Sequence, residues 1–375
     1  MLSTALLLYT AASLGLSWVT LSAWVLGNRY AYDRASERRA ADVERLEDGS
    51  LRAGDLSKRR LRGVALGTRS PASSIAARAL VHDDYAALLR CTLAGVRKAA
   101  RLRALTILVR SDSPRAVSLL RAAVADMDMS IVASAVRLTS ELSSRAADIL
   151  LLDVLVEGSH PRSRTATELE PRSDRIRNDL LKLAEHPEAG LRFWAVTLLG
   201  REPEDASVAS AVALRASDLD PSVRAAAAEG LGKVEREISG PILLRMLDDS
   251  VFYVRAHAAR GIGEAKLDQL AGDVVPLLAD ANWWVRAAAK ESLLALGVEG
   301  FRAAVAALEH EDRFGRDGAL EIVVGSDHLD GLLAAAELGD PEAQALAAKV
   351  ADRRAQIAEA DRAAELPAEP ARAAA

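Results

Sequence analysis

The hydrophobic pattern of the chain changes character near residue 27. From Leu2 to Leu26 no side chain is charged, whereas charged residues are frequent beyond that point. In the later part, stretches such as Gly95–Arg110 and Ser130–Leu142 space their apolar residues as an amphipathic helix does. Aromatic residues make up only 4% of the chain, and Ala, Leu, Val and Arg dominate, which favours packed helices over strands. The pattern predicts an apolar N-terminal helix followed by an all-α body.

The apolar segment is long enough to span a membrane. Its 25 residues correspond to about 37 Å of helix, compared with about 30 Å for a hydrocarbon core. Trp24 and Tyr30 stand where interfacial aromatic residues are common, and the basic residues Arg29, Arg34, Arg38 and Arg39 follow the segment, whereas none precedes it. We therefore expect a single-pass membrane protein held by residues 2–26, with its N-terminus outside and its C-terminal body in the cytosol. The alternatives are a cleaved signal peptide, which calls for a basic n-region that is absent here, and a buried soluble helix.

A repeat of about 31 residues organises the C-terminal half of the chain. The stretches VRAAAAEGLG, VRAHAARGIG and VRAAAKESLL begin at Val223, Val254 and Val285, at intervals of 31 residues. Each Val-Arg arginine follows an acidic residue by six positions, which yields an Asp–Arg ladder made of Asp218 with Arg224, Asp249 with Arg255, and Asp280 with Arg286. Because a second apolar segment separates successive copies, each unit is predicted to be a pair of antiparallel helices.

The repeat continues less regularly at both ends. Glycine is expected to end the helix at Gly232 and Gly263, and one unit upstream Arg192 and Gly200 fall in step. One unit downstream, Glu311 is expected at the acidic position and Arg316 at the arginine position.

This register resembles the HEAT-like repeats of the phycobilin-lyase type. The resemblance is specific for residues 186–325 and weaker for residues 72–155, where the acid-plus-arginine signature is missing. It implies a right-handed α-solenoid of HEAT-like helical hairpins, here preceded by one transmembrane helix. In such repeats the Asp and Arg positions form structural hydrogen bonds within and between units, so we expect a structural ladder, with an anion-binding stripe as the alternative.

The expected domain organisation follows from these segments. It comprises a transmembrane anchor (1–28), a charged juxtamembrane helix and connector (29–70), diverged N-terminal HEAT-like repeats (71–156), a Pro-marked loop (157–175), C-terminal repeats of about 31 residues (176–340), and a tail that is helical and then disordered (341–375).

Composition and motifs provide no case for catalysis. The formal net charge of -5 does not favour nucleic-acid binding by the whole chain, and the single cysteine, Cys91, suits a reducing compartment. The histidines are scattered, and the chain has one His-Glu pair, His310-Glu311, where HEAT-like deoxyhypusine hydroxylases use several to hold iron. With no phosphate-binding loop and no nucleophile elbow, we expect no catalytic site, no cofactor and no metal.

Two groups of side chains are candidates for binding. Aromatic residues stand two and three positions before the ladder arginines, and we call them the aromatic edge: Phe252, Tyr253, Trp283, Trp284 and Phe314. Because Trp and Tyr are enriched in binding hot spots, the aromatic edge is a candidate protein-binding surface. The alternative is that one ring of each pair packs on the adjacent repeat and the other shields it.

The second group lies in the N-terminal repeats, where many basic residues accompany Asp112 as the one acid between residues 90 and 121. Its central members form the basic surface: Arg97, Lys98, Arg101 and Arg103. Such a surface could meet anionic lipids or an acidic partner, and a solvated helix face is the alternative.

These observations favour a membrane-anchored scaffold or adaptor that binds a protein partner at the cytosolic membrane face, where it positions or regulates a membrane enzyme or an envelope-assembly component. The sequence does not identify the partner. Two other hypotheses remain open. One is a HEAT-like enzyme of bilin-lyase or hydroxylase type, and the other is nucleic-acid binding by the basic N-terminal repeats, against which the predicted membrane tether argues.

Overall fold

The fold is known from a computed structural model. It describes the backbone of residues 2–93, 97–113, 116–203 and 205–365, and their side chains except those of residues 2–24, 83–86, 89–90, 92–93, 357 and 360–365. These residues are helices joined by turns, with no strand among them, so the predicted all-α class is confirmed. The chain divides into two compact units, Met1–Leu169 and Glu170–Ala375.

The helices of the first unit are α1 (Leu2–Glu47), α2 (Lys58–Ala65), α3 (Pro71–Leu93), α4 (Lys98–Arg110), α5 (Ala116–Val124), α6 (Met129–Ser140), α7 (Arg145–Glu157) and α8 (Arg162–Leu169), with a 3-10 turn at Ala53–Asp55.

The second unit begins with the 3-10 segment Glu170–Ile176 and continues with α9 (Arg177–Leu183), α10 (Ala189–Leu199), α11 (Ala206–Arg215), α12 (Pro221–Leu231), α13 (Arg236–Met246), α14 (Phe252–Glu264), α15 (Ala271–Val274), α16 (Trp283–Ala295), α17 (Gly297–Ala306), α18 (Arg313–Gly325), α19 (His328–Glu337) and α20 (Pro341–Glu365). Further 3-10 turns are Asp268–Leu270, Val275–Ala279 and Ala307–Glu309.

Helical hairpins stack side by side in the second unit. The second helices of successive hairpins, α10, α12, α14, α16 and α18, pack one on the next. The valine of each Val-Arg pair is fully buried, and the alanines three or four residues later are buried as well. Small side chains at these positions let neighbouring helices approach closely, which explains the Ala-rich repeat. In the first unit, α4, α6 and α8 stack in the same manner.

Glycines at the ends of these helices serve close packing. A Cβ added to Gly200 would lie 2.8 Å from the Cα of Gly230, and one added to Gly263 would lie 2.9 Å from the Cα of Ser292. Gly232 does cap α12, but with a right-handed φ of -58°, and Gly263 lies inside α14. The prediction that glycine stops these helices is therefore wrong for Gly263, where the glycine admits the backbone of the next repeat.

The segment predicted to be a loop, residues 157–175, is largely helical. Gly158 ends α7 in the left-handed conformation, and α8 begins at Arg162, directly after Pro161. The prediction failed because the segment has few apolar residues, but Leu169 is among those it places in the core. The boundary between the two units, after Leu169, falls inside this segment.

Both ends of the chain lie partly outside the described residues. The side chains of the predicted anchor, residues 2–26, fall almost wholly in the part that is not described. In the part that is, no helix is long and apolar enough to cross a membrane. The predicted disordered end, residues 366–375, is also outside, whereas α20 agrees with the predicted helical start of the tail.

Candidate functional site

Arginines of the second unit bind carboxylates of the following hairpin. The Nε and Nη2 atoms of Arg224 donate to the two carboxylate oxygens of Asp249, at 2.7 and 2.9 Å. Arg255 binds Asp280 in the same two-pronged way, at 2.8 and 2.9 Å. The ladder thus joins each repeat to the next. It also extends one step upstream, where Arg192 donates to both carboxylate oxygens of Asp218.

The third nitrogen of each of these guanidinium groups is also hydrogen-bonded. Nη1 of Arg224 donates to the backbone carbonyl of Asp218 at 2.9 Å, and Nη1 of Arg255 donates to that of Asp249 at 2.8 Å. Each guanidinium therefore ties the turn before its own helix to the turn before the next one. This is the arrangement that a structural ladder requires, because the guanidinium and carboxylate groups hydrogen-bond to each other and to the backbone.

The carboxylates respond to this environment. Burial alone would raise the pKa of Asp218, Asp249 and Asp280, but the hydrogen bonds from arginine and from backbone N–H groups outweigh it and hold each pKa below its ordinary value. The same pairing raises the pKa of Arg192 and of Arg224. The three aspartates, Arg192 and Arg224 are consequently charged at neutral pH.

The ladder ends differently from its interior. Nη1 of Arg316 donates to the carbonyl of His310, six residues earlier, and Nδ1 of His310 accepts the N–H of Asp312. His310 therefore stands where the ladder aspartates stand, and the expectation that Glu311 holds this position is wrong. The preceding arginine, Arg286, places its guanidinium carbon 4.4 Å from the ring centre of Phe314.

An additional ladder step occurs in the first unit. Arg101 forms an ion pair with Asp126, across the 25-residue separation that also divides Arg224 from Asp249. Asp126 accepts the N–H of Asp128, as Asp218 accepts that of Asp220. Sequence reasoning missed this step because Val132 occupies the next arginine position. A shared signal was present, since both turns read Asp-x-Asp-x-Ser, beginning at residues 126 and 218.

This step changes the picture of the basic surface. Arg101 is paired with Asp126, and Nζ of Lys98 lies 3.3 Å from the carboxylate of Asp128. Arg97 and Arg103 remain exposed. Two of the four predicted residues are thus neutralised by acids that follow residue 121 in the sequence, and the continuous basic surface that nucleic-acid binding requires is not formed by these four residues.

The aromatic edge lies at the start of three stacked helices. Phe252, Trp283, Trp284 and Phe314 are 39%, 59%, 50% and 55% exposed, whereas Tyr253 is half-buried. The Trp283 and Trp284 ring centres are 4.6 Å apart, and the Phe252 and Tyr253 rings meet edge to face at 5.4 Å. The structure therefore places every predicted member in the first turn of α14, α16 or α18.

The aromatic residues Phe193 and Trp194 are not part of the aromatic edge. They follow Arg192 instead of preceding a ladder arginine, and they are half-buried.

Metal binding has little support in the side chains that the structure describes. Among them, no group of three or more His, Cys, Asp or Glu residues could hold a metal ion. The His310-Glu311 pair is no exception, because His310 uses one ring nitrogen to accept the N–H of Asp312 and packs against Gly315.

Comparison with known proteins identifies the repeat. Residues 177–255 match the family model described as HEAT repeats. The match is to HEAT repeats in general, so the finer resemblance to phycobilin-lyase-type repeats stays a prediction. No curated protein matches the chain.

Several solved structures are similar at low identity. An engineered protein is 16% identical, with 80% of this chain and 99% of that chain covered and a TM-score of 0.37. Human deoxyhypusine hydroxylase in complex with glycerol is 17% identical, with coverages of 68% and 100% and a TM-score of 0.28. Kap121p bound to Pho4p is 14% identical, with coverages of 77% and 40% and a TM-score of 0.43. Similarities this weak say nothing about function. The family match agrees with the ladder geometry, so residues 177–255 of this chain are HEAT repeats.

Proposed function

We propose that this chain is a membrane-anchored scaffold whose aromatic edge binds a protein partner at the cytosolic membrane face. The partner would be a membrane enzyme or an envelope-assembly component that the scaffold positions or regulates. The observation that carries the proposal is the exposure of large rings at equivalent positions of successive repeats. Scattered exposed apolar residues are ordinary on protein surfaces, but a contiguous row of them is typical of a binding site.

The two tryptophans are the largest exposed rings of the aromatic edge. Trp283 and Trp284 are each at least half exposed, so covering one of them removes roughly 100 Å² of apolar surface from water. At about 25 cal/mol per Å², this contributes about 2.5 kcal/mol per ring to binding. Tryptophan is also the residue type most enriched in hot spots. Replacing either residue should therefore weaken partner binding strongly and change the stability of the folded state little.

Helix caps hold the backbone at two of the three helix starts of the aromatic edge, which lowers the entropic cost of binding. The side chain of Asn282 caps α16 by accepting the N–H of Trp284 at 2.9 Å. Asp312 caps α18 in the same way by accepting the N–H of Phe314 at 2.7 Å. Arg286 also lies against the Phe314 ring. The backbone at Trp284 and Phe314 is thus held by caps, and the Phe314 ring also contacts Arg286, before a partner binds.

The repeat spacing limits what can bind. Neighbouring packed helices lie about 8 to 10 Å apart, so three successive helix starts span roughly 20 Å. A matching partner segment needs apolar side chains about 10 Å apart, which is about seven residues along a helix.

The anchor is supported by the uncharged segment 2–26 and by the continuity of α1. This helix runs from Leu2 to Glu47, so the proposed anchor and the core of the first unit share one helix. Leu46 near its end is buried in that core. A tether of this kind would hold the first unit close to the membrane.

Crosslinking and pull-down of the full chain from native membranes tests the proposal. The variant Trp283→Ala/Trp284→Ala should recover at least about tenfold less of a crosslinked partner than the wild type, with unchanged helicity by circular dichroism. Met127→Ala is the matched control, because Met127 is 98% exposed and lies in a turn of the first unit. A chain lacking residues 2–26 should leave the membrane fraction.

Unchanged partner recovery by the double variant would show that the aromatic edge is not the binding surface. Unfolding of the variant would show that the pair belongs to the core. Retention of the truncated chain in the membrane fraction would contradict the anchor without affecting the aromatic edge.

A further inference from the structure

An arginine-lined cleft of about 740 Å³ opens between α1 and α2 of the first unit. We call it the arginine cleft; its lining residues are Ala35, Arg38, Arg39, Asp42, Arg59, Arg60 and Gly63. Four arginines and one aspartate therefore line the same space, with a formal excess of three positive charges. The small residues Ala35 and Gly63 leave room between the two helices.

One of the four arginines is already committed. Nε of Arg60 donates to Asp42 at 3.0 Å, and Nη2 of Arg60 donates to the other carboxylate oxygen. Asp42 is 3% exposed. This pair of a buried carboxylate and a half-exposed arginine joins α1 to α2, and it fixes the wall of the arginine cleft without neutralising the other arginines.

The other three arginines, Arg38, Arg39 and Arg59, form no ion pair among the residues that the structure describes. The Nε atom of Arg39 lies 3.7 Å from the position of a Cβ at Gly63, so this side chain rests against the glycine face of α2. Like charges held in one cleft repel one another and attract an anion. Planar guanidinium groups are suited to bind phosphate oxygens with two hydrogen bonds each.

We infer that the arginine cleft is a binding site for a phosphate-bearing anion, held by Arg38, Arg39 and Arg59. The Asp42–Arg60 pair positions the two helices that carry these arginines.

The ligand could be a dissolved phosphate compound or a lipid headgroup, and the length of α1 favours the first. Ala35 and Asp42 follow Leu26 by 9 and 16 residues, which is about 14 to 24 Å along the helix. The headgroup layer on one side of a bilayer is only roughly 5 to 7 Å thick. If residues 2–26 form the proposed anchor, the arginine cleft lies beyond that layer even when α1 is tilted by about 40°. The choice of a dissolved ligand therefore rests on the proposed function, whereas the anion site itself does not.

Isothermal titration calorimetry with sodium tripolyphosphate tests the inference. The full chain is used in phosphatidylcholine nanodiscs, or in buffer if it does not associate with them, at roughly 0.15 M salt, where the Debye length is about 8 Å. We expect binding by the wild type. The variant Arg38→Ala/Arg39→Ala/Arg59→Ala should bind at least about tenfold more weakly, because one hydrogen bond to a charged group contributes about that much.

The control variant is Arg29→Ala/Arg52→Ala/Arg78→Ala. It removes three exposed arginines of the same unit, none of which lines the arginine cleft. Equal weakening by both triple variants would reduce the effect to net charge and overturn the site, as would an absence of binding by the wild type at millimolar tripolyphosphate.

Repeating the titration in nanodiscs that contain phosphatidylglycerol separates the two sources of phosphate. Unchanged affinity supports a dissolved ligand. Competition by phosphatidylglycerol that disappears in the cleft variant would overturn that choice and assign the arginine cleft to headgroups. A chain that binds tripolyphosphate in buffer but does not enter nanodiscs would contradict the anchor and leave the site standing.

Discussion

The interior and the end of the Asp–Arg ladder hold their arginines through different contacts. In the interior, Arg255 is held by both oxygens of Asp280 and by a backbone carbonyl. At the end, Arg286 keeps the backbone carbonyls of its own turn but lies against the ring of Phe314. The aspartate position of the following turn is taken by His310.

The difference shows how one repeat position can be structural in the interior and available for binding at the end. An ion pair between half-buried groups is directional and uses hydrogen-bonding atoms of both partners. It therefore joins two repeats and leaves these atoms unavailable to a ligand. A cation resting on a ring leaves the other face of that ring open. Phe314 is accordingly more than half exposed, although it packs on an arginine.

The largest effect should come from breaking an interior step. Replacement Asp249→Ala leaves Arg224 without its carboxylate in a site where its side chain is only 16% exposed. Loss of one partner of a buried pair costs about 3 kcal/mol. The free energy of unfolding, measured with urea on the full chain, should fall by that amount, whereas the control Glu311→Ala should change it by less than about 0.5 kcal/mol. Equal effects of the two substitutions would refute the distinction between the positions.

A smaller effect should follow from acid. The folded-state pKa of Asp218, Asp249 and Asp280 is depressed, so the unfolded state binds protons more readily than the folded state does. Their contribution to stability is complete above the ordinary aspartate pKa of about 3.9 and is lost as the pH falls through the folded-state values.

The urea midpoint should therefore fall as the pH drops below about 4, and less steeply in Asp249→Ala. Per site, the loss is smaller than on deletion because a protonated carboxyl can still hydrogen-bond. If the urea midpoints of wild type and variant had the same pH dependence below 4, Asp249 would not contribute to the acid sensitivity of folding.

The smallest effect should appear at the end of the ladder. Phe314→Ala removes the ring beneath Arg286, and such a contact contributes about 1 kcal/mol. Phe314→Leu keeps much of the apolar area, so a larger loss of unfolding free energy in the alanine variant than in the leucine variant would point to packing, and equal losses to the ring itself. Adding His310→Asp should restore part of the stability if position 310 is equivalent to the ladder aspartates. No recovery in the double variant would contradict that equivalence.

Repeated features were predictable, and unrepeated ones were not. The 31-residue interval alone places the ladder residues and the aromatic edge on equivalent helix starts. Arg101 and Asp126 form a ladder step as well. Because Val132 occupies the next arginine position, the sequence shows no repeat there and predicts Arg101 to belong to the basic surface. Helix α8 was missed for a related reason, since its segment has too few apolar residues to show a period, although Leu169 is buried.

By itself, the sequence determined the all-α class, the helical hairpins, and the recurrence of Asp, Arg and aromatic residues at a constant register. These follow from local periodicity, because equivalent residues of stacked repeats must meet equivalent surroundings. Only the tertiary structure decided which charged side chains form ion pairs and which remain unpaired. It paired Arg101 and Arg224 with carboxylates about 25 residues away, put His310 at the end of the ladder, and gathered Arg38 and Arg59 from two helices into one cleft. Whether a charge is free depends on distances between repeats, and no local pattern contains them.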